Sequence, residues 1–450
     1  MTAQAVKLIQ VVNSIIEMNK KNKEYVSDQY ASHEAVASLA PALIHEQSAL
    51  VVEQLERQAL GWSRSVMIIA TAVGLMGIGA VMTYSASARV GSTAVSSFAA
   101  ESLWKSMVFR QIMFVVGGLL TMVIVSRVPY RIWTAWGGKF ALVGLIVAIG
   151  ACGLVFVPGV GQVINGARRW IRLGGGLTLQ PSELVKIMLP IFLATWMTRG
   201  VRRGRDGELE LVGSKQTNIQ HFFAGLVPIV VMIGLSLGII GKEDFGTAAL
   251  LVSVSGAMLL IGGARIWHLC LLACSAAPMF YILLHSRSHR TGRLMTFRNI
   301  WEDPQGAGYQ VVQSLCTIAS GGLYGRGLGR GFVKSYLPEA RTDFIFSVIC
   351  EELGMIGAIA VIALLFAFLW QCRLVVRDCA DPMGKVLAFG IAMTFGIQAV
   401  MNIAVVTVSV PPKGISLPLV SAGGSGVIFL GVLVGVLASI SRYGGLIKRG

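Results

Sequence analysis

Residues 344–370 read FIFSVICEELGMIGAIAVIALLFAFLW, an apolar run long enough to cross the hydrocarbon core of a bilayer as a helix. Nine further runs in the chain meet or approach that length. With 54% hydrophobic and 13% charged residues over 450 positions, the chain is too apolar for a water-soluble protein. The sequence therefore predicts an all-α, polytopic membrane protein with ten transmembrane helices. The predicted spans are 65–84, 107–126, 139–157, 180–198, 223–240, 246–263, 267–284, 344–370, 386–410 and 421–441.

The distribution of lysine and arginine predicts how these spans are oriented. The short loops on the N-terminal side of the membrane hold more of these residues than the short loops opposite, and such residues favour the cytoplasm. Both termini are therefore expected in the cytoplasm, with residues 1–64 as an extension and 65–450 as the membrane domain. Residues 286–343, between the seventh and eighth spans, would form one large extracytoplasmic loop.

The net charge of +16 gives information about the ligand. Orientation and anionic lipid explain the basic residues of the inner loops, whereas those of the outer loop indicate an anionic ligand such as a phosphate-bearing lipid. Nucleic acid is not an expected partner, because the basic residues are not interleaved with exposed aromatic residues and would face outward. The seven cysteines contain no CxxC pair and are expected to pack within the helices.

The large loop ends in Tyr336-Leu337-Pro338-Glu339-Ala340-Arg341-Thr342-Asp343, which places Asp343 where a basic loop meets the first turn of a membrane helix. A carboxylate that is partly shielded from water and close to cations can act as a base on a substrate at the membrane surface. A carboxylate there can also cap the helix, and the residues alone leave both roles open. Glu351 and Glu352 follow about 12 Å further along the helix axis and indicate that this helix borders a wet cavity.

A second pair of charges interrupts the fourth predicted span. Pro181 and Ser182 suit a helix start, so Glu183 lies in the first turn, where a carboxylate is favoured. Lys186 follows three residues later on the same face. The two residues form either an ion pair that makes their charges tolerable in the membrane or a polar wall of a substrate cavity.

The outer loop also contains GGLYGRGLG at residues 321–329. This run lacks both the GxxxxGK[ST] form of a nucleotide-binding loop and its strand–loop–helix setting. Its backbone N–H groups, together with Arg326, Arg330 and Lys334, could instead grip a pyrophosphate. Lys413 lies in a proline-rich turn at 411–426 and is either part of an anchoring turn or a phosphate contact.

Six motifs, in this order along the chain, closely resemble the SEDS family (shape, elongation, division and sporulation), bacterial glycosyltransferases with ten membrane helices. The forms NGARRWI, GYQ and PPKG are more similar to the division branch, FtsW, than to the elongation branch, RodA. Glu243 and Ala422 depart from the family pattern, and residues 1–64 lie outside the resemblance. The motifs are NGARRWI (165–171) with QPSELVK (180–186), DFGTA (244–248), GYQVVQS (308–314), GGLYGRGLG (321–329), YLPEARTDFIF (336–346) and PPKGISLPLVSAGGS (411–425).

The resemblance implies that the protein polymerises peptidoglycan from lipid II, with Asp343 as the essential catalytic residue. It also implies an undecaprenyl-pyrophosphate-linked glycan as the growing strand, a class B penicillin-binding protein as the transpeptidase partner, and other membrane proteins of the divisome as partners. A divalent cation, Mg²⁺ or Mn²⁺, could share the phosphate charge, but His285 and His289 lack a third ligand and no metal-binding residues are predicted. The residues expected to contact substrate are Arg169, Glu183, Lys186, Arg326, Arg330, Lys334, Glu339, Arg341 and Lys413.

Two other functions suit part of the same pattern. A transporter that moves lipid II or another amphiphile across the bilayer would also need charges within the membrane and a polar cavity. The grouping of Asp343 with cations on the outer side favours an enzyme over a path through the membrane. A scaffold that only activates partners would leave the outer charged groups without a purpose.

Overall fold

The structure is a computed structural model, and it is predominantly helical. The chain forms two compact units, Met1–Ala59 and Leu60–Gly450, and the second contains the candidate site. The residues that the structure describes are 34–87, 107–164, 167–174, 177–199, 201–203, 209–211, 225–270, 273–274, 297, 299–306 and 308–444.

Long apolar helices dominate the described residues. Five segments are long and apolar enough to cross a membrane, namely Ala59–Ser87, Phe109–Arg127, Ile345–Asp378, Pro382–Val406 and Ser425–Tyr443. The main helices are α1 (Glu34–Ser87), α2 (Met107–Arg127), α3 (Lys139–Leu154), α4 (Pro181–Met197), α5 (Val227–Glu243), α6 (Phe245–Ile261), α7 (Tyr309–Gly321), α8 (Ile345–Asp378), α9 (Pro382–Val406) and α10 (Ser425–Tyr443).

Nine of the ten predicted spans coincide with one of these helices. The seventh, 267–284, lies mainly outside the described residues. Four of the nine, α3 to α6, have only 16 or 17 residues, which is about 25 Å of helix and slightly less than the hydrocarbon thickness. The protein is thus a polytopic helical membrane protein in which the shorter helices α3 to α7 lie in sequence between the longer α1 and α2 and the longer α8 to α10.

Short antiparallel strands interrupt the helices, which the all-α prediction did not include. Strands β1 (Gly161–Ile164), β2 (Ala167–Gly174) and β3 (Leu177–Leu179) form one sheet in that order. Strands β4 (Val201–Arg203) and β5 (Leu209–Leu211) form a two-stranded ladder. The first sheet matters for the site, because it places Arg169 and Trp170 on a strand and not on a loose loop.

Helix α4 lies at the centre of the bundle. It packs against α3, α5, α6, α9 and α10, and nearly all of its side chains are buried. Pro181 occupies the first turn, as predicted, since proline lacks the N–H that a helix start leaves unpaired. Glu183 and Lys186 are therefore carried into the core by the most buried helix of the bundle.

Helices α2 and α10 approach closely because glycines face the contact. A β-carbon built on Gly431 would lie 2.4 Å from the main-chain oxygen of Gly118, and one built on Gly435 would lie 2.8 Å from that of Met122. The GxxxG spacing at Gly431 and Gly435 thus serves packing within the chain. The same spacing at Gly234 and Gly238 faces open space.

Helix α8 consists of two parts separated at Gly354, whose backbone is not helical (φ 68°, ψ −168°). The glycine-rich run 321–329 packs its backbone against this break. Met355 N–H donates to Gly322 O, and Arg326 and Gly327 N–H donate to the carbonyl oxygens of Glu351 and Glu352. Any side chain at Gly354 would overlap the backbone of Leu323 and Gly325, so glycine is required there.

Candidate active site

A polar cavity of about 600 Å³ lies where several elements converge. Its walls come from β2, the first turns of α4 and α6, the segment that precedes α8, the middle of α9, and the turn between α9 and α10. A volume of this size is typical of sites for small ligands. Six of the ten residues predicted as site residues line it, namely Asp343, Arg169, Glu183, Lys186, Glu339 and Lys413.

Asp343 is fixed by a side chain that sequence reasoning missed. Asn402 Nδ2 donates to the main-chain oxygen of Asp343 and to that of Ile415, both at 2.7 Å. Because both partners are carbonyl oxygens, only the amide nitrogen can face them. Asn402 is fully buried on α9, so a helix of the bundle holds Asp343 against the α9–α10 turn. The N-cap position of α8 is Phe344, so Asp343 precedes the cap.

Further hydrogen bonds join the α9–α10 turn to the segment that carries Asp343. Ser421 Oγ donates to Thr342 O at 2.6 Å and accepts from Leu417 N–H at 2.7 Å. The N–H of Ala422 donates to Arg341 O at 2.9 Å. Ala422 is one of the two positions at which the sequence departs from the pattern of the family it resembles. Because this contact uses only the backbone of Ala422, it does not depend on the side chain at that position. Segment and turn therefore form one hydrogen-bonded unit.

Gly414 lies close to both Asp343 and Arg169. A β-carbon built on it would lie 3.0 Å from Asp343 Oδ2 and 3.7 Å from Arg169 Nη1. A side chain at position 414 would therefore press on the carboxylate of Asp343, which would have to shift to make room. Asp343 and Arg169 consequently lie at the same end of the cavity, although they are far apart in the sequence.

Asp244 is a second carboxylate of the cavity, and it was not among the predicted site residues. It is 4% exposed and caps α6, accepting from the N–H of Thr247 at 3.0 Å and from its Oγ1 at 2.8 Å. Gln180 Nε2 donates to it at 3.1 Å, and Arg169 Nη1 lies 3.9 Å away. Asp244 therefore neutralises part of the charge of Arg169 and holds it in place. The sequence could have indicated this cap, because Asp244 lies between two apolar runs and three residues before a threonine.

The predicted ion pair between Glu183 and Lys186 is present, with Nζ and Oε1 separated by 2.7 Å. Both residues are buried and both line the cavity. The carboxylate of Glu183 also lies beside Gly426, at the start of α10. The two residues thus form an ion pair and also a polar wall of the cavity. Both roles that the sequence suggested for them are therefore compatible.

Lys413 enters the cavity from the α9–α10 turn. Its ammonium lies 4.7 Å from the centre of the Phe245 ring, a cation–π arrangement. Burial away from water lowers the pKa of Lys413, because desolvation disfavours the charged form. The side chain is thus held over the first residue of α6, next to Asp244.

Glu339 lines the cavity in a strained backbone conformation. Its φ is +55°, in the left-handed region that residues with a β-carbon seldom adopt. Thr342 N–H donates to the main-chain oxygen of Glu339 at 3.1 Å, and Thr342 Oγ1 donates to Glu339 Oε2 at 2.8 Å. Such strain clusters at functional sites, where the surrounding contacts maintain it.

The remaining four predicted residues do not line the cavity. Arg326 and Arg330 are exposed on the glycine-rich run, and Arg326 Nε donates to Ser320 O at 2.9 Å. Arg341 lies on the same segment as Asp343 but outside the lining. Lys334 is 3% exposed and paired with the buried carboxylate of Glu352.

The acidic pair on α8 takes part in packing and not in the cavity, contrary to the expectation from the sequence. Glu352 also accepts from Ser85 Oγ at 2.7 Å, and Glu351 accepts from the N–H groups of Val333 and Lys334 at 2.8 and 2.9 Å. The N–H groups of Gly325, Arg326 and Gly327 all donate to main-chain oxygens. The glycine run therefore uses these groups for folding, and they are not directed at a phosphate.

Among the described residues, no group of three or more His, Cys, Asp or Glu side chains is placed to hold a metal ion. A divalent cation at Asp343 would therefore need phosphate oxygens of a substrate among its ligands.

Comparison with known proteins places the sequence in a family. The family described as cell cycle protein (FtsW, RodA and SpoVE) matches residues 65–445. A probable peptidoglycan glycosyltransferase FtsW from Trichlorobacter lovleyi is 37% identical over 380 residues, which are 83% of this chain and 92% of that protein. Stage V sporulation protein E of Bacillus subtilis is 35% identical over 385 residues, covering 85% of this chain and 98% of that protein.

Among solved structures, one described as structural coordination of polymerization and crosslinking by a peptidoglycan synthase complex matches with a TM-score of 0.61 and 25% identity. The match covers 84% of this chain and 96% of that chain. A match over almost the whole membrane domain, in sequence and in fold, leads to one conclusion. The chain belongs to the FtsW/RodA/SpoVE family.

Proposed function

We propose that this protein is a peptidoglycan glycosyltransferase that polymerises lipid II into glycan strands during septal cell-wall synthesis. The observation that carries the proposal is the position of Asp343, on a polar cavity of a membrane protein and beside Arg169. Relatives named as probable peptidoglycan glycosyltransferases match most of the chain. The division role rests on the several relatives named FtsW, and a sporulation protein is similarly close.

The proposed topology has ten spans, cytoplasmic termini and a site that faces outward in the bacterial cytoplasmic membrane. Lysine and arginine in the short loops support this orientation. Asp343 would then lie at the outer leaflet, where an amphiphilic substrate can place its tail in lipid and its sugars in the cavity. Residues 286–343 form the extracytoplasmic loop of this arrangement.

In the proposed reaction Asp343 accepts the proton of the acceptor sugar's 4-hydroxyl. The oxygen forms a bond to the anomeric carbon of the lipid-linked glycan, and the bond from that carbon to the phosphate oxygen breaks with inversion. Undecaprenyl pyrophosphate leaves with the electron pair. Arg169 and Lys413 are the cations of the cavity that would stabilise its charge, while the Glu183–Lys186 pair forms the polar wall behind them.

A class B penicillin-binding protein is the proposed partner. A peptidoglycan synthase complex that couples polymerization to crosslinking has a chain of this fold. A transpeptidase would crosslink the strands that this protein makes, so the two enzymes would act in succession on the same glycan. Other membrane proteins of the divisome are proposed as further partners, because the matching family is described as cell cycle protein and several relatives are named FtsW.

The proposed function is tested by supplying labelled lipid II to the purified full-length protein, with and without a transpeptidase, and resolving glycan length on a gel. Strands that lengthen with time are the expected result. A protein that leaves lipid II unpolymerised but moves it between leaflets of a vesicle would be a transporter, and the proposal would then be wrong.

Gly414→Ala is expected to lower kcat by up to about 100-fold, because an ångström-scale displacement of a catalytic group can have an effect of that size. The added methyl group would lie 3.0 Å from Asp343 Oδ2 and must displace either the carboxylate or the turn. Gly396→Ala is the control, since its β-carbon would meet Leu369 at an ordinary 3.6 Å. If Gly414→Ala and the parent polymerise at equal rates, the α9–α10 turn accommodates the methyl group without displacing Asp343, and the prediction is wrong.

Asn402→Ala is expected to lower kcat roughly 10- to 100-fold and to leave KM for lipid II little changed. The reason is that Asn402 holds the main chain of Asp343 and contacts the reacting groups only through it. Ser439→Ala is the matched control, because Ser439 is equally buried and joins Val128 O to Tyr130 N–H elsewhere in the bundle. A raised KM with unchanged kcat would assign Asn402 to substrate binding instead.

A further inference from the structure

Large apolar side chains are exposed on the polar loop before α8, where the sequence would place them in water. One of them, Tyr324, is 81% exposed, and the others are each more than half exposed. Tyr84, on the last turn of α1, adjoins them through Ser85, whose Oγ accepts from Gly329 N–H at 2.9 Å. This set is called the collar below, and its members are Tyr84, Leu323, Tyr324, Leu328, Phe332 and Tyr336.

The collar is held in place by buried polar groups. Lys334, between Phe332 and Tyr336, donates to Ser85 O at 2.7 Å and pairs with Glu352. The rings of Phe332 and Tyr336 also pack edge to face at 5.4 Å. The segment that carries the collar is therefore fixed by its backbone hydrogen bonds and by the buried side chain of Lys334. Its large apolar side chains form a fixed exposed surface, which indicates that something other than this chain covers them.

The collar lies at one end of a membrane-spanning helix. From Met355 to Asp378, α8 continues for about 36 Å, enough to cross a hydrocarbon core of about 30 Å. The N–H groups of Met355 and Ile356 donate to Gly322 O and Leu323 O. Met355, Ile356 and Ile359 are themselves more than half exposed, so the collar continues the lipid-facing surface of α8 at the level where that helix enters the bilayer.

Positive charge accompanies the collar. Arg326 and Arg330 are exposed between its aromatic residues, and the sequence contains no acidic residue between Asp303 and Glu339. Aromatic rings flanked by arginine suit the boundary between hydrocarbon and headgroups, where the rings remain in an apolar layer and guanidinium groups bind phosphate.

We propose that the collar lies in the headgroup layer of the membrane and that Arg326 and Arg330 bind lipid phosphate there. The phosphate group is shared by anionic phospholipids and by a polyprenyl diphosphate, and the two sources are separated by experiment. The glycine-rich motif thus has a membrane-binding role, distinct from the cavity that holds Asp343, and it fixes the depth of α8 in the bilayer.

The depth of the collar is tested with the full-length protein in vesicles of phosphatidylethanolamine and phosphatidylglycerol that carry brominated acyl chains. Spectra of Tyr324→Trp and Phe366→Trp are taken as differences from the parent, because the chain has nine native tryptophans. Phe366 is exposed and lies about 16 Å along α8 from Met355, near the midplane. Trp at 324 is expected to be quenched more by shallow bromine than by deep bromine, and Trp at 366 the reverse. Absence of quenching at 324 overturns the proposal. Loss of that quenching when a transpeptidase is reconstituted with the protein also overturns it, in favour of a protein-binding surface.

The phosphate contact is tested by measuring lipid retained on the purified protein by native mass spectrometry. Arg326→Gln and Arg330→Gln are each expected to lower retention of phosphatidylglycerol about fivefold. Arg326→Lys and Arg330→Lys keep the positive charge, serve as controls and are expected to retain the lipid. A parallel arm with undecaprenyl diphosphate identifies the source: competition between the two lipids supports a shared phosphate site. Unchanged retention of both lipids in the double variant overturns the assignment of the arginines.

Discussion

Replacing Asp343 by asparagine is expected to lower the rate of glycan polymerisation by about 10²- to 10⁴-fold, which is the usual contribution of a general base. The substitution keeps the shape of the side chain and removes its basicity. The main-chain contacts of Asp343 with Asn402 remain possible, so the geometry of the turn should be preserved. The measurement is the initial rate of lipid II polymerisation by the purified protein with its transpeptidase partner.

Asp303→Asn is the matched control for this substitution. Asp303 is an exposed carboxylate of the same loop, and its Oδ1 accepts from Gly306 N–H at 2.9 Å, outside the cavity. The control is expected to retain the parental rate. Parental polymerisation by Asp343→Asn would remove Asp343 from the mechanism, and the proposed role of this carboxylate as general base would be wrong.

Replacing Lys334 by methionine is expected to destabilise the protein by about 3–5 kcal/mol, because it leaves the buried carboxylate of Glu352 without its cation. Both side chains are almost fully buried, and the ammonium also donates to Ser85 O. The free energy of unfolding in mixed micelles, measured by titration with a denaturing detergent, reports the effect. This result would separate Lys334 from the substrate-binding residues, since the loss would be in folding.

The double variant Lys334→Met with Glu352→Gln is expected to recover much of that loss, because the unpaired charge is removed with its partner. Lys385→Met, at an exposed position of α9, is the control and should change the free energy of unfolding by less than about 1 kcal/mol. If the Lys334→Met single variant is as stable as the parent but binds lipid II more weakly, Lys334 acts in substrate binding and not in folding.

The sequence predicted the helical spans well because their signal is local. Hydrophobicity over about 20 consecutive residues identifies a membrane helix whatever its neighbours are. The pair of Glu183 and Lys186 was predictable for the same reason, since residues three apart share a face of a helix. The short sheet containing Arg169 was missed, because its strands pair across turns and carry no long periodic pattern.

The candidate site was predicted only in part. Six predicted residues meet at the cavity, but a positive charge in a loop does not reveal which way it points. Arg326 and Arg330 face outward, and Lys334 is enclosed with Glu352. Arginine and lysine are the residue types that bind phosphate, but the sequence does not show where their side chains lie in the folded protein.

Sequence alone determined that this protein spans a membrane and that Asp343 stands where a polar loop meets an apolar helix. Tertiary structure decided which groups surround that carboxylate. Arg169 lies with it beside Gly414, and Asn402 fixes its backbone from another helix. The physical reason is that hydropathy and helix starts depend on neighbouring residues, whereas these contacts join residues that only the packing of the bundle brings together.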